Sequence, residues 1–252
     1  MNRAPSALSL LTLAFACALT APANAGQTYT VAGNDRFAIG AGDIQSDITY
    51  AGTQTLGVSH HGKLIRLHAR VTYTRSDGTA RSDATGDYTA DIMPTGETVD
   101  YADHDPDYLT VLNQPFAAQL DRTTLADLQH LHGALPFDFP SPFTGSSLHG
   151  YLQHIGGGRV NSRPAIGVRF ESAGPMRGEL PDRPGLTLTG TIAMRGTAYY
   201  DAQSALLLVL DTKVTITGNV SNRSGKDPVV ITYARTIRAV APHAAQAAGK
   251  AL

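Results

Sequence analysis

The sequence predicts a mainly β fold: a curved antiparallel sheet or half-open barrel, with one short helix and a proline-rich arm packed on it. Three observations carry this. Leu186 to Val240 alternates apolar and polar residues through three consecutive segments, short polar connectors separate them, and only the stretch around Thr124 has convincing helical spacing. In the first segment Leu188, Gly190, Ile192, Met194, Gly196, Ala198 and Tyr200 share one parity. In the second, Leu206, Leu208, Leu210, Val214, Ile216 and Val220 do, and Leu207 and Val209 make its start apolar on both sides. In the third, Val229, Ile231, Tyr233, Ile237 and Ala239 alternate with Thr232, Thr236 and Arg238, and Arg235 is the one charge of the wrong parity. A meander with Tyr200 opposite Leu206, Ala198 opposite Leu208 and Ile192 opposite Val214 sets apolar beside apolar.

Upstream, residues 27–62 read as short β-like pieces interrupted by Gly33, Gly40, Gly42, Gly52 and Gly57. A hairpin follows, Lys63 to Arg75 and Thr79 to Ile92, with Asp77-Gly78 as a two-residue turn. That turn sets Ile65 opposite Ala90, Leu67 opposite Tyr88 and His68 opposite Asp87. The last pair suits a pH-sensitive site or a solvated ion pair. Residues 93–120 contain turns at Pro94-Thr95-Gly96 and Asp105-Pro106-Asp107, then candidate strands at Leu109 to Leu112 and Phe116 to Leu120. The helix begins at a Thr124 cap, presents Leu125, Leu128 and Leu131 as one stripe, and can end at Gly133. At about nine residues it must dock on the sheet to persist. Leu135 to Phe143 alternates apolar residues with prolines, which suits an extended arm over an apolar surface and keeps it out of the central ladder. Leu148 to Ile155 and Ala165 to Ser172 complete the strands, separated by Gly156-Gly157-Gly158.

The chain has 252 residues, 42% apolar and 16% charged, enough for one packed β-rich domain over residues 26–241. A net charge of −1, with Lys and Arg scattered, excludes a nucleic-acid footprint. Residues 1–25 have the form of a signal peptide: Arg3, an apolar run from Leu8 to Leu19, and the small-x-small site Ala23-Asn24-Ala25. The run is too short to be a membrane anchor, so a periplasmic or secreted protein starting at Gly26 is expected, with no integral membrane segment. The single cysteine, Cys17, lies inside that leader, its context fitting acylation poorly, and the mature chain has no disulfide. Residues 242–252 form an Ala-rich tail expected to fray.

Chemistry-bearing patterns are sparse. Of the nine histidines, His60-His61 and His130-x-His132 are the two local pairs, and neither has the spacing of a zinc protease. Asp103, Asp105 and Asp107 have the spacing that opens a calcium loop, but Tyr108 and Gln114 stand where a glycine and a bidentate glutamate are required. No nucleophile elbow, dinucleotide fingerprint or phosphate loop is present. Asn219 and Asn222 open Asn-x-Ser sequons, expected in a meander loop.

The leader, the first β-rich half, the short helix with its proline arm, and the closing long strands with Gly196-x-Ala198-Tyr199-Tyr200-Asp201 resemble in outline the exported lipoprotein-carrier (LolA/LolB-like) superfamily. That resemblance implies a half-open curved sheet with helix plugging an apolar cavity, and an apolar ligand. The leading expectation is therefore a non-enzymatic, bacterial-type envelope protein without cofactor. It would bind a hydrophobic small molecule, a lipid or a lipidated protein at Leu125, Leu128, Leu131, Phe137, Phe139 and Phe143. The alternatives are an exported hydrolase with a His/Asp site and a purely structural envelope component.

Overall fold

Two strands that are neighbours in sequence stand at opposite edges of the sheet, and the segment joining them crosses its inner face. The computed structural model describes residues 26–40, 44–93, 98–114, 120–131, 133–140, 147–180, 183–222 and 225–241. The leader with Cys17, the tail, and the expectations at Pro94 to Gly96, His132 and Phe143 lie outside these residues, as does most of Phe116 to Leu120. The strands are β1 (Gln27–Ile39), β2 (Ile44–His61), β3 (Leu64–Ser76), β4 (Arg81–Ile92), β5 (Thr98–Asp103), β6 (Ala134–Pro140), β7 (Ser147–Val160), β8 (Arg163–Leu180), β9 (Arg183–Asp201), β10 (Leu207–Asn222) and β11 (Gly225–Ala239). Among the described residues one α-helix, α1, spans Arg122–His130. All eleven strands form a single antiparallel sheet in the order β5-β4-β3-β2-β1-β11-β10-β9-β8-β7-β6. The chain thus starts mid-sheet, walks out to β5, crosses to β6 and walks back to lie beside β1.

The sheet is curved and open, as the alternation predicts. Arg163 at the start of β8 donates to Gln27 Oε1 on β1 at 3.0 Å, and Asn161 beside it donates to the Ala239 carbonyl on β11 at 2.6 Å. On a flat sheet β8 and β1 would stand about 19 Å apart, at ~4.8 Å per strand step, so these contacts require the sheet to curl. The inner face carries the predicted parity: Leu188, Ile192, Met194, Ala198, Tyr200, Leu210, Val214, Ile216, Val229, Ile231 and Ile237 are all buried. Leu207 to Leu210 are buried on both parities, as their apolar run requires.

Several expectations need correction. Residues 27–61 make two long strands, with Gly33, Gly52 and Gly57 inside them and not at breaks. The β3–β4 hairpin is shifted by two residues: Ile65 opposes Ile92, Leu67 opposes Ala90, and His68 opposes Thr89, not Asp87. The cause is the turn, which takes four residues because Asp77 Oδ1 accepts from the Thr79 and Ala80 amides at 2.9 and 2.8 Å. Those bonds lower the Asp77 carboxyl to about 2, the Ala80 amide contributing most. Between β9 and β10 Tyr200 opposes Leu207, one residue off, and the slip between Leu207 and Val209 makes the rest two residues off, with Ala198 opposite Leu210 and Ile192 opposite Ile216. Beyond the slip both shifts are even, so those side chains keep their face, whereas Leu207 takes the place opposite Tyr200 that was expected for Leu206.

Thr98–Asp103, between the two expected turns, forms an edge strand that was not expected, and the expected strand at Leu109 to Leu112 is a buried turn ending in a 3-10 segment, Val111–Asn113. The proline arm does join the ladder: β6 pairs with β7, Pro136 opposite Tyr151 and Phe139 opposite Leu148. The prolines are tolerated because β6 is an edge strand. Asp121, not Thr124, caps α1, accepting from the Thr124 amide at 2.7 Å, and α1 ends at an extended Leu131, not at a left-handed Gly133. Gly156 to Gly158 lie within β7, and Asn219 within β10.

Candidate functional site

The crossing segment is fixed to the inner face in two chemically different ways. From Asp103 to Gln114 it is held by hydrogen bonds and charge. Arg235, 4% exposed, makes a two-pronged ion pair with Asp35 on the neighbouring strand and donates from Nη2 to the Asp107 carbonyl at 3.0 Å. Its guanidinium lies 5.3 Å from the centre of the Tyr50 ring and 5.7 Å from that of Tyr233. Tyr50 donates to Asp107 Oδ1 at 3.2 Å, Tyr73 donates to Oδ2 at 2.5 Å, and Arg75 stands 3.7 Å from the same carboxylate. Burial first, then the neighbouring carboxylates, push both phenols far above their ordinary value, so they act as neutral donors.

Two smaller features complete the clasp. Gln54 on β2 accepts from the Val111 amide at 2.6 Å, and Asp105 accepts from the Thr110 amide and from Asn113 Nδ2 at 3.2 Å. Burial raises the Asp105 carboxyl despite those bonds. Asp105 lies so close over β4 that a Cβ on Gly86 would stand 2.8 Å from its Cα, which is why a residue without a side chain is needed there.

In the second half α1 is held by apolar contact, whereas β6 is also hydrogen-bonded to β7 as the edge strand of the sheet. Leu125 and Leu128 are buried, and α1 packs against β7. Phe139 is fully buried in a seat over Gly150, where a Cβ would come within 2.6 Å of the ring. The rings of Phe137 and Phe139 are 4.9 Å apart, and Phe137 is half-buried. Leu131, beyond the end of α1, is 43% exposed. Five of the six residues singled out from sequence thus share this end of the crossing, although Leu131 has left the helical stripe; Phe143 lies outside the described residues. Among the described residues no side-chain hydrogen bond joins α1 to the sheet, its polar contacts being local, such as His130 Nδ1 to the Ala126 carbonyl at 2.7 Å.

The histidine and aspartate patterns resolve into surface pairs. Asp87 meets His104, at 2.8 Å, and Asp138 meets His149, at 2.6 Å, both pairs exposed. Asp91 takes Arg66 in a two-pronged pair at 2.5 and 2.6 Å. Asp103, Asp105 and Asp107 are spent on amides, Asn113, Tyr50 and Tyr73. Among the described residues no three His, Asp or Glu side chains are placed to share a metal ion.

The clasp escaped the sequence reading. Its signal was present, since Arg235 and Asp35 both carry the parity of an apolar face and are of opposite charge.

No protein-family model matches the chain, and no curated protein does. Two solved structures have partial likeness. A candidate lipoprotein from Parabacteroides distasonis ATCC 8503 is 10% identical, with 80% of this chain and 92% of that one covered, at a TM-score of 0.23. A conserved hot-dog-fold protein of unknown function from Alicyclobacillus acidocaldarius is 14% identical, covering 88% and 82%, at 0.12. TM-scores this low establish no shared fold. No described helix is long and apolar enough to cross a membrane.

Proposed function

We propose that the protein is an exported, non-catalytic envelope protein that binds an apolar ligand, a lipid or a lipidated partner, between α1 and the inner face of the sheet at its β6 edge. Leu125, Leu128, Leu131, Phe137, Phe139 and Phe143 are the side chains it touches or displaces. The supporting observation is the unequal fastening of the crossing segment. Its first half cannot leave the sheet without taking away the partners of Arg235 Nη2, the Tyr50 and Tyr73 hydroxyls and Gln54 Oε1, and a buried donor or acceptor left unmet costs about 1–3 kcal/mol. In its second half β6 keeps its backbone ladder to β7, while α1 and the Phe139 ring are held by apolar contact, which is non-directional, so an acyl chain can take the place of the Phe139 ring without leaving a donor or acceptor unmet. The exposed Leu131 continues the apolar surface to solvent and marks the point of entry. The leader pattern at Arg3, Leu8 to Leu19 and Ala23-Asn24-Ala25 supports export.

Phe139→Ala tests this. The wild type is expected to bind a polarity-sensitive apolar dye, and the variant to change dye affinity by roughly tenfold while losing less than the ~3–5 kcal/mol typical of a Phe removed from a sealed core. Fluorescence titration and urea denaturation on the same samples give both numbers. A wild type that binds no dye, with a full core-sized loss in the variant, contradicts the proposal.

A further inference from the structure

We propose that the outer face of β8 to β10 is a binding site for a phosphoryl group, held by Arg169, Arg195 and Lys213. This face is turned away from α1 and the inner face, so the site stands or falls separately from the apolar ligand. Arg195 on β9 lies directly opposite Lys213 on β10. Like charges in that relation destabilise a sheet unless something lies between them. Two carboxylates are near enough to serve, and both are turned elsewhere. Glu171, opposite Arg195 on the other side, accepts from the Tyr151 hydroxyl. Asp211 accepts from Thr236 Oγ1 at 2.9 Å and pairs with Arg238 at 3.3 Å. Among the described residues Arg169, Arg195 and Lys213 take part in no ion pair.

The three cations line one open depression of about 410 Å³. A second, of about 330 Å³, shares Arg195 and Lys213 with it. A phosphoryl group matches this arrangement because it offers several acceptor oxygens and one or two negative charges. The two guanidinium forks can each meet a pair of oxygens while the ammonium supplies a point charge. Adjacent strands are about 4.8 Å apart, so Arg195 and Lys213 reach the same group from either side.

Calorimetric titration with inorganic phosphate, and cosedimentation with phosphatidylcholine vesicles with and without phosphatidylglycerol, distinguish a soluble phosphate from a lipid headgroup. Binding of either ligand by the full chain, weakened about tenfold or more in R195Q/K213Q, is the expected result. The variant should melt no lower than wild type at low salt, since it removes a repulsion, and E171Q should bind more tightly than wild type. Failure of both phosphate and anionic vesicles to bind overturns the proposal. So does binding that R195Q/K213Q leaves unchanged.

Discussion

Ile216→Asp is expected to leave the protein without a cooperative folding transition, whereas Thr215→Asp, one residue away, should melt within a few degrees of wild type. Ile216 is 0% exposed and lies between Ile192 on β9 and Ile231 on β11. A carboxylate there has no cation or donor beside it, and burying it costs several kcal/mol, comparable with the whole stability of a domain. Thr215 lies on the outer face between Ala193 and Thr232, where a charge stays hydrated and the change is within about 0.5 kcal/mol. Circular-dichroism melts of the two variants decide it. Equal melting would mean that the faces of β10 are assigned the wrong way round.

Removing Arg235 should have the next largest effect. Arg235→Met leaves Asp35 buried without its counter-charge and takes a donor from the Asp107 carbonyl, for an expected loss of about 3–5 kcal/mol in urea denaturation. D35N/R235M should be less destabilised than the sum of its single variants, by roughly 1–3 kcal/mol, because the second change removes the stranded charge. Strict additivity would contradict a buried, coupled pair. The same variants bear on the crossing segment, since the first half is predicted to loosen when the clasp is cut while β9 and β10 stay paired.

The parts of the fold set by periodicity were legible in the sequence. From Leu186 to Val240 the alternation gave the faces of three strands, because one buried face imposes a period of two on every strand. Pairing registers were not legible to better than two residues. An Asp77 side chain that captures two amides lengthens one turn, and a slip at Leu207 to Val209 displaces another pairing, while beyond Val209 neither alters which residues face inward. β1 and β2 were read as fragments because glycines such as Gly33 and Gly52 look like breaks when their neighbours on adjoining strands are unknown. β5 was missed for a different reason: its residues are all exposed, so no apolar face marks it. As for the candidate site, the apolar residues of α1 and β6 could be named in advance from their spacing. The clasp at Arg235 depends on Asp35, 200 positions away in sequence, and on a crossing segment whose path only the sheet order reveals.

Native mass spectrometry of the protein purified from its own host tests the apolar-ligand proposal most directly. The predicted result is a population carrying an added mass in the lipid range, lost on mild collisional activation and changed in abundance in Phe139→Ala. A wild-type spectrum containing the bare polypeptide alone, from protein that was never exposed to detergent, would contradict it.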